Sequence, residues 1–217
     1  DRRLREILGK LRERPLLGGE DGVRLSLAGA QDKLAVVIEG EAIGLAKGGR
    51  PTTHILKPVI PSLNGVVENE LFCMRLAART GIPVPKTAMR RADDIPLLLV
   101  ERYDRIRGKD GVVARLHQED FCQALSVPPE LKYEDEGGLG AKRSLELIDA
   151  ACARPAADRL RFIRMLVFHY LVGNADAHAK NYALLYRTKV PDVAPLYDVV
   201  CTAAYPRLAR KLAMAIG

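Results

Sequence analysis

The pattern of apolar residues changes near residue 103, and this change limits the chain to a small set of folds. Before it, residues 34–39, 52–58 and 97–100 form short strand-like runs, and one helical pattern lies at residues 66–80. After it, helical spacing predominates, most clearly in a long helix predicted to begin near Asp158 and end at Gly173. Strands that give way to helices are typical of an α+β fold.

The length of the chain suits two lobes around a cleft. It has 217 residues, of which 48% are hydrophobic, and it can therefore bury a substantial core. We expect a β-rich lobe over residues 1–102 and a helical lobe over residues 103–217. The apolar runs fall far short of the roughly 20 residues that a bilayer-spanning helix needs, so we expect no membrane partner.

The positive charge of the chain restricts the classes of partner. Lys and Arg number 34 against 27 Asp and Glu, a net charge of +7. Such an excess favours nucleotides, acidic proteins or nucleic acid, although many enzymes carry a similar excess without such a partner. There is no Trp and only 5% of the residues are aromatic, so platforms for stacking bases are scarce.

The N-terminal residues and the cysteines bear on location and chemistry. The first residues are charged and lack the apolar stretch of a secretory signal, so we expect a cytoplasmic protein. The four cysteines are far apart and form no C-x-x-C pair, which argues against a zinc site or a disulfide framework.

The most informative motif follows the long helix. In GNADAHAKN (173–181), Asp176 and Asn181 repeat the D-x-x-x-x-N spacing of the protein-kinase catalytic loop. The Asp carboxylate would accept the proton of a substrate hydroxyl, and the Asn amide oxygen would bind Mg²⁺. Asp198 would supply a second Mg²⁺ ligand. An Asp turn with an Asn cap is the alternative for the pair alone, and the second acid, Asp198, favours the site.

Phosphoryl transfer also requires a cation on the nucleotide phosphates. Lys57 ends an apolar strand and suits that role. Its ion-pair partner would come from the following helix, where Glu68 and Glu70 are available and Glu70 is our choice. A solvent-exposed lysine at a sheet edge is the alternative.

Seven sequence blocks, in family order, make the chain similar to the HipA family, the serine/threonine-kinase toxins of bacterial type II toxin–antitoxin systems. The blocks are SLAGAQDK (26–33), TTHILK (52–57), VERYDR (100–105), LHQEDFCQ (116–123), KYEDEGG (132–138), GNADAHAKN (173–181) and LYD (196–198). They cover about residues 20 to 215. The resemblance implies a two-lobed, protein-kinase-like fold.

The resemblance also implies roles for individual residues. Asp176 would be the catalytic base, Asn181 and Asp198 would hold Mg²⁺, and Lys57 would bind ATP phosphate. Further ATP-binding residues would be Ala28, Gly29, Ala30, Lys33, Glu101, Tyr103, Gln118, His178 and Lys180. Glu101 and Tyr103 would form the hinge that meets the adenine. His178 could orient the base, but a structural role within the loop is favoured.

The predicted phosphate loop depends on the resemblance alone. It has one Gly where G-x-G-x-x-G has three, and nothing in the chain matches the P-loop motif. Ser26, three residues before Gly29, would be an autophosphorylation site. A phosphoserine there would add about −1.5 to −2 charges beside the ATP phosphates and would push the loop outward. A strand serine that pairs with backbone is the alternative.

The function implied by the resemblance is an ATP- and Mg²⁺-dependent serine/threonine kinase that phosphorylates a translation component such as an aminoacyl-tRNA synthetase. A DNA-binding antitoxin of the HipB type would be its partner. A catalytically silent scaffold that acts as corepressor with that antitoxin is the alternative, and the joint presence of Lys57, Asp176, Asn181 and Asp198 counts against it. Direct binding to nucleic acid is not expected, because no helix-turn-helix pattern is visible. Family members are usually about twice as long, so the chain is expected to be part of a longer protein.

Overall fold

A computed structural model describes residues 33–40, 42–46 and 48–216. They divide into two compact units. The first contains the described residues up to Leu71 together with Pro85–Arg115, and the second contains Phe72–Val84 and the described residues from Leu116 onward. The expected boundary between residues 102 and 103 lies inside the first unit. The first unit extends to Arg115 because hydrogen bonds attach the hairpin after residue 103 to it.

The first unit is built on a five-stranded antiparallel sheet with the order β2-β1-β3-β5-β4. Its strands are β1 (Leu34–Glu39), β2 (Ala42–Leu45), β3 (His54–Pro58), β4 (Thr87–Ala92) and β5 (Ile95–Glu101). These strands confirm the strand-like runs predicted in the first half of the chain. Alternate residues of β1, β3 and β5 form an apolar core that includes Leu34, Leu56 and Leu97.

The most apolar strand of this sheet, β5, owes its sequence to its position inside the sheet. Strand β5 lies between β3 and β4, and its residues Leu97, Leu98, Leu99 and Val100 are all buried. Both faces of this strand are covered, so its sequence is continuously apolar instead of alternating. Helix α1 (Val66–Arg79) follows β3 and belongs to the first unit as far as Leu71.

A buried cluster of charges follows β5. The carboxylate of Asp104 accepts hydrogen bonds from Arg102 Nε and Nη2 at 2.9 and 2.7 Å and from Arg105 Nη1 at 2.7 Å. Arg105 Nε also donates to the carbonyl of Thr52, which attaches the hairpin of β6 (Arg105–Arg107) and β7 (Val113–Arg115) to the unit. Arg102 and Arg105 therefore have structural roles.

The second unit combines helices with a small sheet of order β10-β9-β8. Its elements are β8 (His117–Asp120), α2 (Phe121–Ala124), α3 (Ala141–Ala151), α4 (Pro155–Leu171), β9 (Ala183–Tyr186) and β10 (Asp192–Val193), with 3-10 turns at Pro129–Leu131, Glu134–Glu136, Ala179–Asn181 and Thr202–Ala204. Phe121, Phe162 and Tyr182 form the centre of its core, with ring centroids 5.0 to 5.8 Å apart. No helix among the described residues is both long and apolar enough to cross a bilayer.

Helix α4 confirms the predicted long helix, but it buries a different side from the one that its apolar spacing suggests. The apolar residues in that spacing are largely exposed: Leu160, Ile163, Val167, Tyr170 and Leu171. The buried positions include Phe162, Met165 and His169. Both sets fit a 3.6-residue period, and the aromatic core around Phe162 decides which one is buried.

We predict that Asp104→Asn lowers the free energy of unfolding by about 3 kcal/mol, because it removes the buried carboxylate that binds two half-buried arginines. Burial alone would raise the pKa of Asp104, but the hydrogen bonds from Arg102 and the charges of Arg102 and Arg105 outweigh burial and hold the pKa below its ordinary value. The stabilisation is therefore complete above the ordinary Asp pKa of about 3.9 and is lost as the pH falls through the folded-state pKa.

Urea unfolding of wild type and variant over a range of pH checks this prediction. The difference between them should narrow below about pH 4. The matched control is Asp94→Asn, which removes one carboxylate from an exposed position. Equal losses from Asp94→Asn and Asp104→Asn at neutral pH would show that the cluster contributes nothing specific.

Candidate functional site

The first unit carries a buried ion pair. Lys57 Nζ, on β3, lies 2.6 Å from Glu70 Oε1, on α1, and the two side chains are only 8% and 2% exposed. This contact confirms Glu70 as the partner, since Glu68 is exposed on the same helix. The edge-lysine alternative is wrong, because β3 lies inside the sheet between β1 and β5.

Burial makes this pair a strong constraint on both side chains. A charge removed from water costs several kcal/mol unless an opposite charge lies beside it. The short contact therefore fixes the Lys57 ammonium at one position on the sheet. A lysine held in this way by a helix glutamate is what a kinase needs to meet nucleotide phosphates.

The predicted hinge is held by the sheet of the same unit. The amide of Glu101 donates to the carbonyl of Lys86, and the amide of Arg102 donates to the carbonyl of Thr53, both at 2.9 Å. Tyr103 is half-buried. These bonds fix the backbone direction at the end of β5, and contact of Glu101 and Tyr103 with adenine stays a prediction.

Lys33 is the residue of the predicted phosphate loop that the structure describes. Lys33 is buried at the start of β1. Ala28, Gly29, Ala30 and Ser26 lie outside the described residues. Their predicted roles therefore stay predictions.

The second unit carries the predicted catalytic loop, and side chains of the loop fix its bend. Asn181 Nδ2 donates to the carbonyl of Asp176 at 3.0 Å, and Asn174 Oδ1 accepts the amide of Asp176 at 3.1 Å. The five-residue spacing of Asp176 and Asn181 thus corresponds to a direct contact. The backbone of Asp176 is anchored while its side chain is exposed to solvent.

Asn174 is itself held by a buried histidine at the end of α4. His169 Nδ1 lies 2.9 Å from Asn174 Nδ2, and the carbonyl of His169 accepts the amide of Asn174. Burial lowers the pKa of His169 to about 4, and the charge of Asp198 opposes this only in part. The imidazole is therefore neutral, so Nδ1 can accept the amide proton. The sequence patterns assigned no role to His169 or Asn174. What could have indicated them is that both are polar residues in an otherwise apolar stretch.

Tyr133 completes the surroundings of Asp176. Its hydroxyl donates to Asp176 Oδ1 at 2.8 Å, and its ring lies edge-on to the imidazole of His178, with centroids 5.3 Å apart. The sequence interpretation assigned Tyr133 no role, although it lies in the block KYEDEGG. Nothing in the sequence near Tyr133 indicates contact with a loop more than forty residues away.

Three further predicted ATP-binding residues lie in this unit: His178, Lys180 and Gln118. His178 is buried, and burial lowers its pKa despite the opposing charge of Asp176. Lys180 Nζ forms an ion pair with Asp120 at 2.8 Å. Gln118 is exposed on β8, and α2 begins only at Phe121, after an N-cap at Asp120. Binding of ATP by these residues stays a prediction.

The predicted Mg²⁺ ligands offer suitable atoms. Among residues 33–40, 42–46 and 48–216, no group of three or more His, Cys, Asp or Glu is arranged to hold a metal. Mg²⁺ commonly takes one or two carboxylates together with substrate phosphates, and it prefers oxygen ligands. The amide oxygen of Asn181 and the carboxylate of Asp198 fit that requirement. Asp198 has a left-handed backbone, with φ of 60°, which a non-glycine residue adopts at some cost.

Comparison with known proteins relates both units to one family. The family model described as "HipA-like C-terminal domain" matches residues 25–217 of the sequence. The chain is 53% identical to the protein named "Putative kinase Y4mE" of Sinorhizobium fredii over 97% of its own length and 50% of that protein. It is 35% identical to the serine/threonine-protein kinase toxin HipA of Shewanella oneidensis, over 89% of its own length and 47% of that protein.

Solved structures give the same relationship. The chain matches the Shewanella oneidensis HipA complex with HipB and operator DNA with a TM-score of 0.83 and 32% identity, over 97% of this chain and 53% of that one. It matches the Helicobacter pylori kinase CtkA with a TM-score of 0.54 and 18% identity, over 75% and 52%, a likeness of fold alone. The predicted α+β, protein-kinase-like fold is confirmed. The chain spans about half the length of these relatives.

We predict that Lys57→Met lowers the free energy of unfolding by about 3 to 5 kcal/mol, because it removes the ammonium that contacts the buried Glu70 carboxylate. The double variant Lys57→Met/Glu70→Gln should recover most of this loss, since it removes both charges. Urea unfolding measures both effects. Wild-type stability in the single variant would contradict the burial of this pair.

Proposed function

Because the chain belongs to the HipA-like C-terminal domain family, we propose that it is the nucleotide-binding and catalytic part of an ATP- and Mg²⁺-dependent serine/threonine protein kinase, the toxin of a toxin–antitoxin system. The observation that carries the proposal is the buried contact between Lys57 and Glu70. A strand lysine paired with a helix glutamate is required in active protein kinases. The joint presence of Lys57, Asp176, Asn181 and Asp198 counts against a silent scaffold, which is therefore the weaker candidate.

The catalytic chemistry is assigned to the loop of the second unit. Asp176 has an exposed carboxylate on an anchored backbone, which suits a base that accepts the proton of a serine or threonine hydroxyl. Asn181 and Asp198 would hold Mg²⁺, which when bound offsets the charge of the nucleotide phosphates. Lys57 would contact nucleotide phosphate.

The remaining predicted residues would either bind the nucleotide or support the catalytic loop. Glu101 and Tyr103 would meet the adenine, with Gln118 nearby. The loop at residues 28–30, together with Lys33, would lie over the phosphates. His178 and Lys180 would support the catalytic loop, a role that the burial of His178 and the ion pair of Lys180 favour.

The partners follow from the same family. We propose a translation component, such as an aminoacyl-tRNA synthetase, as the phosphorylated protein, and a DNA-binding antitoxin of the HipB type as the partner. The support for the antitoxin is that the structural relative from Shewanella oneidensis was solved with HipB and operator DNA. These partners are proposed for the whole protein. The chain spans about half the length of the relatives that it matches.

We predict that Asp176→Asn and Asp198→Asn have different kinetic effects in the full-length protein. Asp176→Asn removes the proton acceptor and should lower the rate of phosphate transfer by about 100-fold or more while ATP binding survives. Asp198→Asn should weaken binding of Mg²⁺-ATP as well as turnover, because a neutral amide cannot offset the charge of the metal. Isothermal titration calorimetry and transfer of labelled phosphate measure the two effects.

The control for both variants is Asp149→Asn, which removes one exposed carboxylate from helix α3 of the same unit. It should leave binding and transfer unchanged. Phosphate transfer at the wild-type rate by Asp176→Asn would refute the assigned base.

We also predict autophosphorylation of Ser26, which would repel the ATP phosphates and limit the activity of a toxin. Mass spectrometry of the full-length protein, expressed with and without Asp176→Asn, tests this. Phosphate on Ser26 should appear only with Asp176 intact. An unmodified Ser26 in an active sample incubated with ATP would refute the predicted autophosphorylation.

A further inference from the structure

We propose that Tyr133 positions the carboxylate of Asp176 for phosphate transfer. The proposal starts from a single contact, the 2.8 Å hydrogen bond from the Tyr133 hydroxyl to Asp176 Oδ1. Among the described residues, Tyr133 is the only hydrogen-bond partner of the Asp176 side chain. Asn174 accepts the amide of Asp176 and Asn181 donates to its carbonyl, so both bonds involve only the backbone of Asp176 and cannot set the rotation of its carboxylate.

Tyr133 is held firmly enough to act as a reference point. Its ring packs edge-on against the buried imidazole of His178, and the ammonium of Lys132 lies 4.8 Å from the ring centroid. Its carbonyl accepts the amide of Gly138 at 2.9 Å. A Cβ at Gly138 would lie 2.5 Å from that carbonyl oxygen, so only glycine lets the two backbone segments approach so closely.

The backbone on either side of Tyr133 is tied to the catalytic loop itself. The amide of Ala179 donates to the carbonyl of Lys132 at 3.3 Å. The amide of Glu134 donates to the carbonyl of Ala213 at 3.1 Å, and the amide of Ala213 donates to the carbonyl of Ala175 at 2.9 Å. Tyr133 and Asp176 therefore belong to one hydrogen-bonded frame, and the distance between them is fixed by backbone on both sides.

The chemistry of the contact suits a positioning role. Burial and the hydrogen bond to the Asp176 carboxylate raise the pKa of Tyr133, so the phenol stays protonated and remains a donor. One carboxylate oxygen is then committed to the phenol, and the other is directed outward to accept the proton of a substrate hydroxyl. Orientation of this kind raises turnover without adding affinity, because it reduces the fraction of unproductive geometries.

This inference rests on the proposed function, and its test separates the two. In the full-length protein, Tyr133→Phe should lower kcat for phosphate transfer about 10-fold and leave KM for ATP within about twofold. The matched control is Tyr186→Phe, which removes another hydroxyl that donates to a carboxylate, that of Glu119 at 2.9 Å, away from the catalytic loop. The control should leave both constants unchanged.

A double variant distinguishes positioning from general damage to the fold. If Tyr133 acts through the carboxylate of Asp176, Tyr133→Phe should cost no more than about twofold in an Asp176→Asn background. A full 10-fold further loss in that background would overturn the proposal, as would wild-type kcat in the single variant.

A spectroscopic measurement tests the contact without turnover. With tyrosine labelled by ¹³C at the ζ position, the Tyr133 resonance, identified by its loss in Tyr133→Phe, should shift in Asp176→Ala while the Tyr186 resonance does not. An unshifted Tyr133 resonance would overturn the proposal. An inactive wild-type enzyme with a shifted Tyr133 resonance would instead overturn the kinase function and confirm that Tyr133 holds the carboxylate.

Discussion

The ion pair between Lys57 and Glu70 is the constraint on which the first unit depends. Neither charge can leave water without the other, so the strand and the helix that carry them must meet at one register. The stability of this unit and the position of its lysine are therefore set by the same contact.

The second unit positions its polar side chains by a different means. In its predicted catalytic loop, neutral groups hold the backbone of Asp176: His169 is kept uncharged by burial and fixes Asn174, whose amide oxygen accepts the amide of Asp176. The carboxylate of Asp176 stays exposed to solvent. The phenol of Tyr133 orients that carboxylate without adding charge.

Much of this could be predicted from the sequence, because local patterns encode it. The apolar run at Leu97–Val100 predicted a buried strand, and the spacing of Asp176 and Asn181 predicted a loop after the long helix, where the structure has one. Patterns failed where long-range packing decides. The burial of Phe162 rather than Ile163 depends on aromatic partners distant in sequence, and no local signal links Tyr133 to its loop.

The central claim is that this family member transfers phosphate from ATP to a protein hydroxyl. The most direct measurement is to incubate the full-length protein with γ-labelled ATP, Mg²⁺ and a bacterial lysate, and to identify the labelled residue by mass spectrometry. The account predicts phosphoserine or phosphothreonine in a single translation component, with no label when Mg²⁺ is chelated. Tight binding of the antitoxin without any labelled protein would contradict it and would favour the silent scaffold.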